Sequence, residues 1–157
     1  MNSESLVAIG LGSNLGDRAA HLAFACDRLS ALLDGFRVSS TYTTRPVGVS
    51  ELQPDFFNAA AIGRTTLSPR ALLDTLLAIE QARGRQRPWP GAARTLDLDL
   101  LLAGESVMNE PGLVVPHPRL RERRFVLEPL SEIAPDLRDP VSGLTIRELL
   151  AQLPPAP

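Results

Sequence analysis

An α+β fold is predicted by two observations. Residues 94–102 alternate strictly, with Leu96, Leu98, Leu100 and Leu102 on one strand face and Thr95, Asp97 and Asp99 on the other. Two stretches, near 17–34 and 68–83, carry apolar residues at helical spacing, and each lies between strand signals. The resulting order through Leu102 is βαββαβ. That is the split βαβ, ferredoxin-like arrangement, extended here by C-terminal elements, with a largely antiparallel sheet and helices packed on it. At 157 residues and 44% hydrophobic content, one domain spanning 1–157 is expected.

Taken in order, residues 6–12 read as the first strand. Gly10, Gly12 and Gly16 miss the dinucleotide-binding spacing by one residue and read as turn chemistry. Leu22, Cys26, Leu29, Leu32 and Leu33 form the stripe of the first helix, and Gly35 suits its C′ position. Phe36, Val38 and Tyr42 mark a second strand. Residues 44–54, with Pro46, Gly48 and Pro54, form a connection long enough to suggest function. A third strand is expected over 55–64, with Asn58 inside it.

Ser68 as N-cap and Pro69 at N1 open the second helix. Its stripe is Leu72, Leu73, Leu76 and Leu77, continued by Glu80. A carboxylate on that edge is costly unless paired, so Glu80 either bonds Arg83 or faces a site. Gly84 ends the helix, and an arginine-rich loop over 85–93 leads into the Asp97/Asp99 strand. A turn at 103–106 suggests a hairpin to another short strand. Val115-Pro116 is a candidate cis bond, followed by a short helical piece carrying Arg119, Arg121, Arg123 and Arg124. Thr145 with Glu148 is a capping box for a last helix, and 154–157 reads as a frayed tail.

Composition narrows the chemistry. A formal net charge of −2 gives no electrostatic case for nucleic acid or an anionic membrane surface. The longest apolar run is too short for a membrane span, and a cytoplasmic monomer is expected. A single cysteine excludes an internal disulfide and a multi-cysteine metal site. All 16 basic residues are arginine, so neither a Walker-type lysine nor a Schiff base is available. Bound phosphates would need arginine forks and metal.

Asp97 and Asp99 lie about 6.6 Å apart along a strand and project the same way. They are either the wet side of a half-buried strand or a pair of carboxylates for divalent cations. Mutual repulsion favours a cation or a basic partner, and Arg83, Arg85, Arg87 and Arg94 stand just upstream. Carboxylates for Mg²⁺ beside guanidinium groups for phosphate are the equipment of phosphoryl transfer. Asn58 is either bonded to neighbouring backbone or turned to a ligand. His117, between two prolines, has the geometry of an aimed side chain, whereas His21 reads as a surface residue.

Four motifs occur together: Gly12-Ser-Asn-Leu-Gly-Asp, Gln53-Pro-Asp-Phe-Phe-Asn-Ala-Ala, Arg94-Thr-Leu-Asp-Leu-Asp-Leu-Leu-Leu, and Val115-Pro-His-Pro-Arg-Leu with Glu122-Arg123 and Phe125. In this combination the chain closely resembles the 6-hydroxymethyl-7,8-dihydropterin pyrophosphokinase family of folate biosynthesis. The resemblance implies transfer of pyrophosphate from ATP to the pterin hydroxymethyl group, releasing AMP. It implies two Mg²⁺ held by Asp97 and Asp99, and charge stabilisation on the moving group by Arg85 and Arg94. Arg87, His117 and Arg123 would clamp ATP, with Glu80 and Leu100 beside it. The pterin would stack between Phe56 and Phe125, its polar edge read by Asn58 and by the backbone of Thr44, Arg45, Pro46 and Val47.

Several positions depart from the family's habit. Phe56 lacks a hydroxyl often found there, and Arg45 replaces the first proline of a Thr-Pro-Pro loop. Trp89 lies five residues before Arg94 instead of three, and Ala93 replaces a common proline. Other readings are a nucleotidyl transferase using the same aspartates, a ferredoxin-like RNA-binding module, or a non-catalytic interaction domain. The paired aspartates oppose RNA on the sheet, and the loop arginines oppose a purely structural role.

Overall fold

The computed structural model describes residues 3–45, 54–84 and 95–154. Its sheet contains β1 (Ser5–Ser13), β2 (Asp34–Val38), β3 (Tyr42–Thr44), β4 (Phe56–Thr65) and β5 (Asp97–Ala103). Strands lie in the order β2-β4-β1-β5, with β3 also paired to β4, and every pairing is antiparallel. β1 and β2 flank β4 in this order, as the split βαβ reading requires. The chain adds helices α1 (Arg18–Leu32), α2 (Pro69–Ala82), α3 (Arg124–Ile133) and α4 (Ile146–Gln152). A separate two-stranded sheet pairs β6 (Met108–Glu110) with β7 (Leu113–Val115).

Period-two alternation builds two cores. Val7, Ile9 and Leu11 of β1 join Leu98 and Leu100 of β5 against Leu22, Leu29, Leu72 and Leu76 of α1 and α2. The opposite face buries Ala8, Ala60 and Leu102 under Val126, Leu127, Leu130 and Leu149 of α3 and α4. Among the described residues no helix is long and apolar enough to cross a membrane.

Local signals were obeyed at the caps. The Asp17 side chain accepts from Ala20 N and that of Ser68 from Ala71 N, each satisfying a helix N–H that has no intrahelical partner. Thr145 and Glu148 form the full capping box, Gly84 ends α2 at φ +81°, and Val115-Pro116 is cis.

Several expectations need correction. The run 96–102 does not alternate throughout: the register against β1 shifts between Ala8 and Ile9. This bulge turns Leu102 to the α3/α4 face with Leu101, away from Leu96, Leu98 and Leu100. Gly35 is not the C′ residue of α1, which is capped by Leu33. It lies in β2 at φ +62°, where the register between Asp34 and Arg37 slips by one. The second strand is split into β2 and β3 at Ser39, whose N–H donates to Ala60 O and whose hydroxyl accepts from Ala60 N. On α2 the inner face takes Ile79 and leaves Leu77 exposed. The 103–106 turn does not return β6 to β5; β6 pairs with β7. The short arginine-bearing helical piece is present as expected, as a 3-10 turn over Leu120–Glu122 running into α3.

Candidate active site

Sheet register places the candidate residues in rows. Tyr42 pairs with Asn58, Asn58 with Gly12, and Gly12 with Asp97. The next row is Ala60, Gly10 and Asp99, and Thr44 pairs with Phe56. Partners across an antiparallel pair share a face, so Thr44, Phe56, Asn58, Asp97 and Asp99 project to one side. Between the carboxylates and Asn58 stand only glycines. A Cβ on Gly12 would sit 3.3 Å from Asn58 Oδ1 and 3.7 Å from the Phe56 ring; one on Gly10 would lie 3.8 Å from Asp99 Cβ. β1 therefore places no side chain of its own between the aspartates and Asn58, and the Leu101 side chain packs 3.6 Å from the Gly10 Cβ position.

Reading Gly10 and Gly12 as turn chemistry was wrong: both lie inside β1, and only Gly16, at φ +72°, serves the turn. Glycine at alternate positions of an apolar strand was the available signal, because it bares one face.

Asn58 is buried, and its Nδ2 donates to Thr44 Oγ1 at 2.5 Å. The bond fixes which way the amide points and leaves its Oδ1 directed toward Gly12. Just upstream, Asn14 Nδ2 donates to Pro54 O and Arg18 donates to Asp55 O at 2.6 Å while covering Phe57 at 4.1 Å. These contacts fix the chain where it enters Phe56 and Asn58.

Glu80 is 1% exposed, and its Oε2 accepts from Leu98 N at 2.6 Å. It grips β5 between the two aspartates. Arg83, the alternative partner, donates Nε–H to His21 Nδ1 at 2.8 Å and lies 4.9 Å from the Phe24 ring. His21 is thus a half-buried bridge between α1 and α2, not simply a surface residue. Burial and then Arg83 push its pKa below the ordinary imidazole value.

Beside the outer edge of β5 lies a cavity of about 260 Å³ lined by Leu98, Asp99, Leu100, Leu113, His117 and Pro118, with Leu73 at its back. Its size suits part of a ligand, such as one planar base. Because Leu98 N points outward to Glu80, strand geometry also directs Leu98 C=O and Leu100 N–H outward at this edge. His117 reaches the cavity because its own N–H is tied to Leu101 O at 2.9 Å. Its Nδ1 accepts from Arg119 N at 3.2 Å, leaving the ring proton on Nε2 as a donor. Burial and then the Arg123 charge push the His117 pKa down, outweighing the upward pull of Asp97.

The arginine cluster sorts itself by partner. Arg119 pairs with Glu122, Arg121 with Asp139, and Arg124 with Glu128. Arg123 makes no ion pair among the described residues; its guanidinium lies 5.4 Å from the ring of Phe125, which is 37% exposed. Arg45 is exposed at the end of β3. Arg85, Arg87, Arg94, Pro46, Val47 and Trp89 lie outside the described residues. The structure thus brings Asp97, Asp99, Leu100 and His117 together at β5, with Thr44, Phe56 and Asn58 across the same sheet face, and sets Arg123 within electrostatic reach of His117 and against Phe125. Sequence reasoning missed Gly10, Gly12 and the cavity walls Leu98 and Leu113, which read as ordinary strand residues.

Fold and site together define a ferredoxin-like α+β domain equipped for phosphoryl transfer. Residues 8–135 match the family described as 7,8-dihydro-6-hydroxymethylpterin-pyrophosphokinase (HPPK). A 2-amino-4-hydroxy-6-hydroxymethyldihydropteridine pyrophosphokinase of Methylorubrum extorquens is 46% identical over 151 residues, covering 94% of this chain and 93% of that protein. The Synechocystis protein of the same name is 46% identical over 148 residues, covering 92% and 74%. A Plasmodium falciparum HPPK-DHPS solved with pterin and p-hydroxybenzoate superposes with TM-score 0.77 at 16% identity, over 97% of this chain and 44% of that one. The chain belongs to the 7,8-dihydro-6-hydroxymethylpterin-pyrophosphokinase family.

Proposed function

We propose that this chain performs the reaction of its family: transfer of the β,γ-pyrophosphoryl unit of ATP to the hydroxymethyl group of 6-hydroxymethyl-7,8-dihydropterin, releasing AMP, in folate biosynthesis. The observation that carries the site assignment is the glycine strip of β1. It runs between two carboxylates on one side and a fixed carboxamide on the other, with a base-sized cavity at the strand edge.

The hydroxymethyl oxygen attacks the β-phosphorus, its proton is lost, and the bond from the β-phosphorus to the oxygen bridging to the α-phosphorus breaks. That oxygen leaves with AMP. Little of this requires covalent help from the protein; position and charge do the work. The adenine enters the cavity, where Leu98 and Leu100 offer apolar faces and an outward C=O and N–H. His117 Nε2–H and Arg123 donate to phosphate oxygens. Asn58 reads the polar edge of the pterin, with Phe56 and Phe125 as stacking faces and the backbone of Thr44, Arg45, Pro46 and Val47 completing the pocket. Glu80 serves the nucleotide side by holding β5 in place. Arg87 binds ATP, and Arg85 and Arg94 meet the charge of the moving group.

Asp97 and Asp99 fit two Mg²⁺: they share a face, and their neighbours on β1, Gly10 and Gly12, carry no side chain there. Among the described residues no group of three or more His, Cys, Asp and Glu could hold a metal alone. Mg²⁺ suits this arrangement, since it takes one or two carboxylates and completes its shell with substrate phosphates and water. When bound, it would neutralise triphosphate charge. The enzyme acts as a single-domain cytoplasmic monomer in this reading.

The test is the nucleotide product. Incubation with ATP, Mg²⁺ and the reduced hydroxymethylpterin should give AMP in step with pterin diphosphate. ADP, inorganic pyrophosphate or no turnover would overturn the proposal.

A further inference from the structure

β3 is three residues long and, among the described residues, pairs only with β4. A strand this short is marginal on its ladder alone. Yet Thr44 at its end fixes the Asn58 amide, so the placement of β3 decides the geometry of that amide. The remaining support comes from α3. Glu132 accepts from Ser40 N at 2.9 Å, Ser40 Oγ at 2.6 Å and Tyr42 Oη at 2.8 Å. These bonds hold the Glu132 carboxyl below the usual carboxylate range and push the Tyr42 phenol up.

α3 cannot follow a loosened β3, because Val126, Leu127, Leu130 and Ile133 anchor it in the core. Its opposite end carries Phe125 and adjoins Arg123. Glu132 therefore spans two walls: the helix that presents Phe125, and the strand that orients Asn58 through Thr44. It is exposed, lies far in sequence from both Ser40 and Tyr42, and contacts none of the residues assigned to ATP, Mg²⁺ or the pterin.

We propose that Glu132 is a positioning residue for the pterin side of the site, setting the separation of the Phe125 and Thr44–Asn58 walls by clamping β3 to α3. This rests on the assignment of Asn58 and Phe125 to the pterin. A flat heterocycle between two walls tolerates little change in spacing, because stacking and edge hydrogen bonds must be made together. The nucleotide cavity is built on β5 and β7, away from the clamp, and should not sense it.

The experiment compares Glu132→Ala, Tyr42→Phe and Asn58→Ala with the parent enzyme. Dissociation constants are measured for a non-hydrolysable ATP analogue with Mg²⁺, and for 6-hydroxymethyl-7,8-dihydropterin on the analogue-loaded enzyme. Loss of a hydrogen bond to a charged acceptor predicts weakening of pterin binding by about tenfold in Glu132→Ala and about threefold in Tyr42→Phe. Binding of the ATP analogue should stay within twofold. Tyr42→Phe removes only one bond and keeps the test open if Glu132→Ala fails to fold. Equal losses for nucleotide and pterin would show a merely structural role and overturn the clamp. Weak pterin binding in Asn58→Ala with parental binding in the two clamp variants would also overturn it. Unchanged pterin binding in Asn58→Ala would instead strike down the wall assignment beneath the proposal.

Discussion

Gly12→Ala should separate stability from function. Gly12 does not have positive φ, so alanine fits its backbone. Replacing glycine within a strand favours folding by roughly 0.5–1 kcal/mol through the unfolded chain. Against this, the new methyl sits 3.3 Å from Asn58 Oδ1, and the amide must yield by a few tenths of an ångström while held to Thr44 at 2.5 Å. Overpacking of this kind costs about 1 kcal/mol, at the low end of its range. The two effects nearly cancel, so the unfolding midpoint should stay within about 4 °C of the parent. Catalysis is less forgiving, because the methyl stands on the strip between Asp97 and Asn58. A displacement approaching 1 Å lowers rates by about 10²-fold. The pterin KM should therefore rise at least about tenfold, and kcat/KM for pterin should fall about 10²-fold. The ATP KM should barely change. Gly10→Ala isolates the folding effect: its methyl meets Leu101 at 3.6 Å and Asp99 Cβ at 3.8 Å, ordinary contacts, so its melt should show the glycine-to-alanine gain without the Asn58 clash. Thermal melts and steady-state kinetics with each substrate varied decide it. A parental pterin KM in Gly12→Ala would show that the strip is not the floor of the pterin site.

Asp97→Asn and Asp99→Asn should each lower kcat by at least about 10²-fold, with melting little changed, because each removes a charge from a partly exposed strand face; full activity in either variant would exclude it as a metal ligand. Asp139→Ala should do the reverse. Its buried carboxylate accepts from Arg121 at 2.5 and 3.0 Å and from Ser142 and Val141. Removing it should cost about 1–3 kcal/mol, because its buried donors lose their acceptor while Arg121 stays partly solvated, and kcat at 25 °C should stay parental, as calorimetry and assay would show. Both histidines have pKa values below the ordinary 6.5, His117 from burial and then Arg123, His21 from burial and then Arg83. The unfolded chain therefore binds more protons as pH drops below about 6.5, and stability should fall from there downward. Denaturant melts at pH 7.5 and 5.5 should show a drop that His21→Gln/His117→Gln largely removes; an equal drop in the double variant would assign it to other groups.

The parts of this molecule legible in sequence were those fixed by neighbouring residues. Ser68-Pro69, Gly84 and the Thr145–Glu148 box acted as read, because a cap depends on backbone groups within one turn. The inward set Leu96, Leu98 and Leu100 was legible from period two, but Leu101 and Leu102 were not. A bulge depends on register against β1, which the sequence of β5 alone does not contain. The split at Ser39 was hidden for a similar reason, since it rests on exchange with Ala60, 21 residues away. At the site, the polar candidates Asp97, Asp99, His117 and Arg123 stood out because they sit in dense motifs. The glycine floor was not, because glycine signals freedom and bareness alike, and only the sheet shows which is used. Glu132 gave no signal at all, since its partners lie about 90 residues upstream.

The central claim is that the β- and γ-phosphoryl groups move together while the α-phosphate remains with the nucleoside. Parallel reactions with ATP labelled at the α-, β- or γ-phosphorus, each with Mg²⁺ and 6-hydroxymethyl-7,8-dihydropterin, test it directly. The β and γ labels should both appear in the pterin product, in equal amount, and the α label only in AMP. Transfer of the γ label without the β, or recovery of the α label on the pterin, would contradict the account.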